Sequence, residues 1–146
     1  MKIRIIAVGN RMPNWVQTAW NDYSKRFPRH IAISLHEIKP QIRNSRQNTQ
    51  QFLELEAQRI RSHFNPGEFL VALDERGKDI NTEQMAQQLA QWHESGFTIN
   101  FLIGGPDGLD EGLKKQCNTQ WRLSSLTMAH PFVRVLLIEQ IYRCWS

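Results

Sequence analysis

A chain of 146 residues fits one domain with a real core, and 40% hydrophobic with 22% charged residues marks a soluble globular protein rather than a disordered or membrane-spanning one. Two cysteines, Cys117 and Cys144, are too few and too far apart for a disulfide framework or a CxxC motif, and no apolar run approaches membrane-spanning length. The net charge of +4 is uneven: residues 1–64 hold 11 Lys/Arg against 4 Asp/Glu and residues 65–146 hold 7 against 10, so the N-terminal half is the expected partner of a polyanion, with a solvated basic surface as the alternative.

Taken in chain order, Lys2–Val8 reads as a strand rich in Ile and Val that ends at Gly9. Met12–Phe27 reads as a helix, with Pro13 in its first turn and Trp15, Ala19, Tyr23 and Phe27 on one face at i+4 spacing; Pro28 stops it. Ile31–Ile38 alternates apolar and polar residues, as a strand near a sheet edge does. Lys39–Arg46 is a polar, basic loop, and Asn48–Phe64 a helix with Phe52, Leu55 and Arg59 or Ile60 marking a face. Asn65-Pro66-Gly67 is a turn.

Phe69–Leu73 is a continuous apolar run, expected of a central parallel strand, and Asp74–Asp79 reads as a charged turn around Gly77. Asn81–Glu94 is a helix with Asn81 and Gln84 placed for reciprocal capping and Gly96 placed to end it. Thr98–Ile103 is another buried strand, Leu109–Gln116 a short helix, Arg122–Ser124 a last short strand, and Phe132–Trp145 a final helix. Strands alternating with helices throughout predict an α/β fold, a mostly parallel sheet flanked by helices in one domain over residues 1–146.

The final helix has few polar residues on any side, and a helix apolar all round needs cover all round. A second copy of the chain supplies it most simply, so a homodimer through this helix is expected; the alternative is a helix lying across the sheet with one face exposed.

Gly104-Gly105-Pro106-Asp107-Gly108 follows a buried strand, the place where open α/β sheets bind ligands. It lacks the GK[ST] of a phosphate loop and the GxGxxG spacing of a dinucleotide site. It is either a ligand wall or a tight turn. Leu123, Ser124, Ser125, Leu126, Thr127 and Met128 alternate apolar groups with hydroxyls, and a loop of this kind offers backbone donors and acceptors to an adenine edge; ordinary strand-to-loop packing is the competing reading.

His130, beside this loop, is a candidate for proton transfer or simply a capping or core histidine. Arg134, on the first turn of an apolar helix, needs a partner, either a carboxylate such as Glu139 of a neighbour or an RNA phosphate. No histidine spacing suits a metal, and no GxSxG or Cys–His pattern supports a hydrolase. The N-terminal MKIRIIAVGN is too short in its apolar run for a signal peptide, and two reduced thiols suit the cytosol, so a cytoplasmic location is expected.

MKIRIIAVGN, LVALDERGK, IGGPDGL and LSSLTMAHPFVRVLLIEQIYRCW, in this order, resemble the ribosomal large-subunit methyltransferase H family, of the SPOUT class of RNA methyltransferases, over essentially the whole chain. The resemblance implies a C-terminal trefoil knot, which general rules of chain topology make very rare. It implies S-adenosylmethionine as cofactor, a homodimer with the pocket near its interface, and methylation of N3 of a pseudouridine in 23S rRNA of the assembled ribosome. By position it implies cofactor contacts at Leu73, Gly104, Gly105 and Leu123 to Met128, with His130 and Arg134 near the methyl-transfer centre.

Family members usually continue past the last helix with a short polar tail, whereas this sequence stops at Ser146. A cofactor-binding ribosome or RNA-binding protein with little turnover is therefore the alternative, and a tRNA-directed enzyme of the same class a third reading. The basic N-terminal residues Arg11, Lys25, Arg26, Arg29, Arg43 and Arg46 are the expected rRNA-docking surface.

Overall fold

A computed structural model describes residues 1–42, 46 and 48–146; Arg43 of the expected docking set lies outside them. The element order is β1 (Lys2–Val8), α1 (Asn14–Ser24), β2 (Ala32–Ile38), α2 (Thr49–Arg61), β3 (Phe69–Asp79), α3 (Thr82–Glu94), β4 (Thr98–Ile103), α4 (Glu111–Gln116), β5 (Thr119–Arg122) and α5 (His130–Trp145). The strands form one sheet in the order β2-β1-β4-β3-β5, every pair parallel. The α/β parallel architecture expected from the alternating pattern is present.

Side chains alternate across the sheet, so each strand supplies two cores. Ile3, Ile5, Val71, Ile99, Phe101 and Trp121 face one side, where Met85, Leu89 and Trp92 of α3 and Leu137 and Ile141 of α5 cover them, with Trp20 of α1 packed alongside. Ile6, Val8, Ala72 and Leu102 face the other, under Ala57 and Ile60 of α2 and Leu113 of α4. Local chemistry places the helix starts. Asn48 and Asn81 accept from the N–H of Gln51 and Gln84, whose side chains reach back to the Asn N–H groups, so α2 and α3 both begin with a capping box.

Three expectations change. The helix ends at Ser24, short of Phe27, and its inward side carries Val16 and Trp20, while Trp15 is 46% exposed, so the buried face is rotated from the one that Trp15 and Ala19 would mark. The charged segment Asp74–Asp79 is no turn: β3 runs on through it, with a register shift between Leu73 and Lys78 opposite Trp121. A Cβ on Gly77 would sit 2.7 Å from the Trp121 backbone carbon, which is why the strand needs glycine where it passes β5. The last strand lies earlier than expected, over Thr119–Arg122, which frees residues from Leu123 onward to form a loop.

α5 is covered on one side only. Arg134, Leu137, Ile138 and Ile141 are buried, while Phe132 (55% exposed) and Trp145 (42% exposed) face outward.

At the amino end of the sheet, Arg4 on β1 donates to Glu68 and to Oδ1 of Asn100 on β4 at 3.3 Å, and Asn100 donates to Glu68 at 3.3 Å. Burial raises the Glu68 pKa, but bonds from the Asn65 N–H, Asn100 and Arg4 outweigh it and hold the carboxyl below its ordinary 4.5. A depressed carboxylate contributes stability that is present above the unfolded pKa and is lost as pH falls through the folded one. Glu68→Gln is therefore expected to cost on the order of 2 kcal/mol at pH 7. Urea unfolding repeated at falling pH should find this difference shrinking below pH 4.5 and gone once pH has passed below the lowered folded pKa.

Candidate functional site

The middle of β3 and the strand-to-loop exits of β4 and β5 line one cavity of about 770 Å³. Leu73, Gly104, Gly105, Leu123, Ser124, Ser125, Leu126, Thr127 and Met128 all line it, as does His130. Residues that are 55 positions apart in the chain, such as Leu73 and Met128, thus face one space because β3 and β5 are neighbours. Arg134 lies behind this wall and lines a separate cavity of about 200 Å³ with Met12, Val16, Trp20, Leu35 and Glu37.

The glycine wall is set by contact. A Cβ on Gly104 would fall 2.4 Å from the Gly108 carbonyl group, so only glycine lets the loop fold back on the end of β4. The turn closes with the Gly108 N–H donating to the Gly105 carbonyl at 3.0 Å.

The opposite wall is open in its hydrogen bonding. Across Ser124–Met128 the only backbone bond among the described residues is the Leu126 N–H to Ser124 Oγ at 3.0 Å. Among the described residues the remaining N–H and C=O groups of this stretch have no hydrogen-bond partner, and such groups need one when a ligand excludes water. Leu126 is 76% exposed, an apolar side chain at the mouth of the cavity.

Behind the wall sits a buried cation. Arg134 is 1% exposed. Its Nη1 donates to Glu37 Oε2 at 2.7 Å, its Nη2 to the Gly9 carbonyl at 2.6 Å, and its Nε to His130 Nε2 at 3.1 Å. Glu37 belongs to this chain, so the carboxylate partner is on β2 and not a neighbour's Glu139; Glu139 pairs instead with Arg143. His130 Nδ1 meets the Gly104 carbonyl at 3.0 Å. Because the carbonyl can only accept and the guanidinium can only donate, the imidazole must carry its proton on Nδ1 and accept at Nε2. Burial, then the Arg134 charge, push the His130 pKa below 6.5, against a smaller opposing effect of the Gly104 bond. Neutral His130 thus transmits the position of Arg134 to the carbonyl of a cavity residue.

The sequence did not point to the charged rim. Asp74, Glu75 and Arg76 line the cavity because β3 extends past Leu73. Lys114 of α4 also lines it, 3.3 Å from Asp74 and 2.8 Å from Glu111. Its pKa is raised because these carboxylates together overcome the effect of burial. Basic residues at the end of a short helix carry no signal of which way they point, so only the strand register exposes this pair. Burial pushes the Cys117 and Cys144 thiols up to about 11, so neither is a ready nucleophile. Among the described residues no three His, Cys, Asp or Glu gather to hold a metal ion, and no helix is long and apolar enough to cross a membrane.

Arg134→Lys keeps the charge but loses the fork that reaches three partners. It is expected to destabilise the protein by about 3 kcal/mol, measured by urea unfolding. The depressed His130 pKa has its own sign: its contribution is complete above about pH 6.5 and falls as pH drops through the lower folded value. Chemical shifts of the His130 ring should show a neutral Nδ1–H tautomer at pH 7 and a titration midpoint below 6.5.

The sequence pattern of a family described as "Predicted SPOUT methyltransferase" matches residues 1–146. The chain is 52% identical over 146 residues to the ribosomal RNA large subunit methyltransferase H of Bordetella petrii, covering 100% of this chain and 94% of the relative. It is 47% identical over 146 residues to the protein of the same name from Polynucleobacter asymbioticus, covering 100% and 93%. Among solved structures, a probable methyltransferase from Bordetella pertussis Tohama I superposes with a TM-score of 0.64 at 12% identity, over 99% of this chain and 94% of that one. A putative methylase family protein from Neisseria gonorrhoeae gives 0.58 at 14% identity, over 97% and 81%. The structural likeness speaks for the fold alone; the full-length pattern and the half-identical relatives carry the assignment, and the chain belongs to the SPOUT methyltransferase family.

Proposed function

We propose that this chain uses S-adenosylmethionine to methylate N3 of a pseudouridine in 23S rRNA of the assembled ribosome, as a cytoplasmic homodimer. One observation carries the reading: all nine residues that the resemblance assigns to cofactor contact line a single cavity. Its relatives named ribosomal RNA large subunit methyltransferase H support the substrate class.

The residues present fit the cofactor. Unpaired backbone groups of Ser124–Met128 suit an adenine edge, and Leu73, Ile103 and Val133 provide apolar wall. Four carboxylates, Asp74, Glu75, Asp107 and Glu111, line the space against three cations, Arg76, Lys114 and Arg122, so carboxylates are present for a sulfonium or ammonium and cations for a carboxylate. When bound, the cofactor supplies an electrophilic methyl group on sulfur. The protein's part is alignment and exclusion of water. His130, as a wall residue with both nitrogens engaged, holds the Gly104 carbonyl in place; Arg134 is a positioning residue that acts through His130. The knotted C-terminal path implied by the resemblance belongs to the same reading.

The dimer is supported by an exposed apolar face at the cavity end of the molecule. Trp15 and Phe132 lie outward with ring centroids 5.0 Å apart, on the first turns of α1 and α5. A second copy packed there would cover the open side of α5 and stand beside the cavity.

Calorimetry should show S-adenosylmethionine binding, weakened about tenfold in Arg134→Lys, a loss of roughly 1.4 kcal/mol. Ribosomes from a strain lacking the enzyme should gain a reverse-transcription stop in 23S rRNA after incubation with protein and cofactor, because an N3 methyl blocks base pairing. No new stop would sink the substrate assignment. Sedimentation should give a dimer, and Phe132→Glu should shift it to monomer.

A further inference from the structure

At Asp74, β3 parts from its neighbours. Its pairing with β4 ends at Leu73 opposite Ile103, and the rungs to β5 at Leu73 and Lys78 both meet Trp121. Residues 74–77 therefore have no rung of their own, and a strand irregularity of this kind re-aims side chains. Asp74, Glu75 and Arg76 of this stretch line the cavity.

Of the four carboxylates around that space, Asp74 alone is sheltered. Its side chain is 11% exposed against 63% for Glu111, and Glu75 and Asp107 are exposed too. An exposed carboxylate exchanges water for a ligand at little net gain, whereas a sheltered one that loses its water must find a donor. Lys114 Nζ supplies one, 3.3 Å from Oδ2. Oδ1 has no hydrogen-bond partner among the described residues, and it is not sealed in the core. One oxygen of this carboxylate is thus fixed by a buried ammonium, and the other keeps access to the cavity that Asp74 lines.

Lys114 also decides which donor suits the open oxygen. Its charge already stands beside Asp74, so a second cation on Oδ1 would meet like charge at close range in a sheltered place. A neutral O–H meets no such repulsion. The sulfonium and ammonium of S-adenosylmethionine are cations, and the other lining carboxylates remain for them. The adenine edge is matched by the unpaired backbone of Ser124–Met128. The ribose hydroxyls are the neutral donors left over. Resting on the cofactor reading above, we infer that Asp74 accepts a hydrogen bond through Oδ1 from a ribose hydroxyl of the cofactor, with Lys114 holding the carboxylate in place. Carboxylates beyond strand ends read ribose hydroxyls in the same chemical way in dinucleotide sites of unrelated α/β sheets. Asp74 is then a specificity-determining residue, which makes the cavity select a ribonucleoside over its deoxy counterpart.

The test is calorimetric binding of S-adenosylhomocysteine, which keeps the ribose intact, and of its 2′-deoxy and 3′-deoxy analogues to wild-type protein, D74A and D74N. Wild type should bind the parent compound about tenfold more tightly, or better, than the analogue that lacks the bonded hydroxyl. D74A should bind the parent about tenfold more weakly than wild type does and treat all three compounds alike. D74N keeps the shape of the side chain with an uncharged acceptor, and should discriminate less than wild type. A wild-type protein indifferent to the removal of either hydroxyl would overturn the contact without reliance on any variant. Discrimination as strong as wild type in D74A, or in D74N where D74A does not fold, would overturn it as well, because another group would then be reading the ribose. Failure of wild type to bind either S-adenosylhomocysteine or S-adenosylmethionine would instead remove the cofactor reading itself, so the two failures are told apart.

Discussion

The buried guanidinium of Arg134 is the constraint on which the site depends. Taking such a charge out of water costs several kcal/mol, and it is tolerated only where its N–H groups are met. Here Gly9, 125 residues away in the chain, Glu37, 97 away, and His130 meet them. The three partners stand at the exit of β1, on β2 and at the start of α5. The first turn of α5 is therefore fixed against the carboxyl edge of the sheet, and the loop before it can go to only one place. His130 extends the constraint to Gly104, so two cavity walls from different strands are positioned by one cation. Gly9 belongs to the same arrangement: its φ of +131° favours glycine, and a Cβ there would crowd Arg134 Nη2 at 3.2 Å.

The rim of the cavity follows a different logic. β3 leaves the hydrophobic core at Leu73 and continues as a charged strand, shifted in register where Gly77 passes Trp121. This places Asp74 against Lys114, which also meets Glu111, so one cation offsets two of the carboxylates that line the cavity. The rim therefore carries charges of both signs, with the uncharged backbone of Ser124–Met128 across from it.

Much of this was legible in the residues. The continuous apolar run at Phe69–Leu73 announces a central parallel strand, Thr98–Ile103 a buried one, and the Asn81–Gln84 spacing a capped helix. Gly104 and Gly105 stood out because paired glycines after a strand imply close backbone approach. What stayed hidden depends on contacts distant in sequence. Glu37 looked like an ordinary strand residue until β1 and α5 were placed beside it. Asp74–Asp79 read as a turn because charge and glycine are turn signals, and no local pattern shows that β5 would pair there. Trp15 seemed an inward aromatic because periodicity fixes the spacing of a helix face but not which of two adjacent rows meets the sheet.

α5 joins these threads. Its fully buried residues, Arg134, Leu137, Ile138 and Ile141, lie along one side. The first turn is held by Arg134 to Glu37 and Gly9, and Leu137, Ile138 and Ile141 keep the rest of the helix on the sheet. The loop before it therefore runs between two fixed points, the end of β5 and a helix that cannot shift without unpairing a buried cation. His130 ties the same helix to the Gly104 carbonyl, so a loosened Arg134 would release both walls of the cavity together.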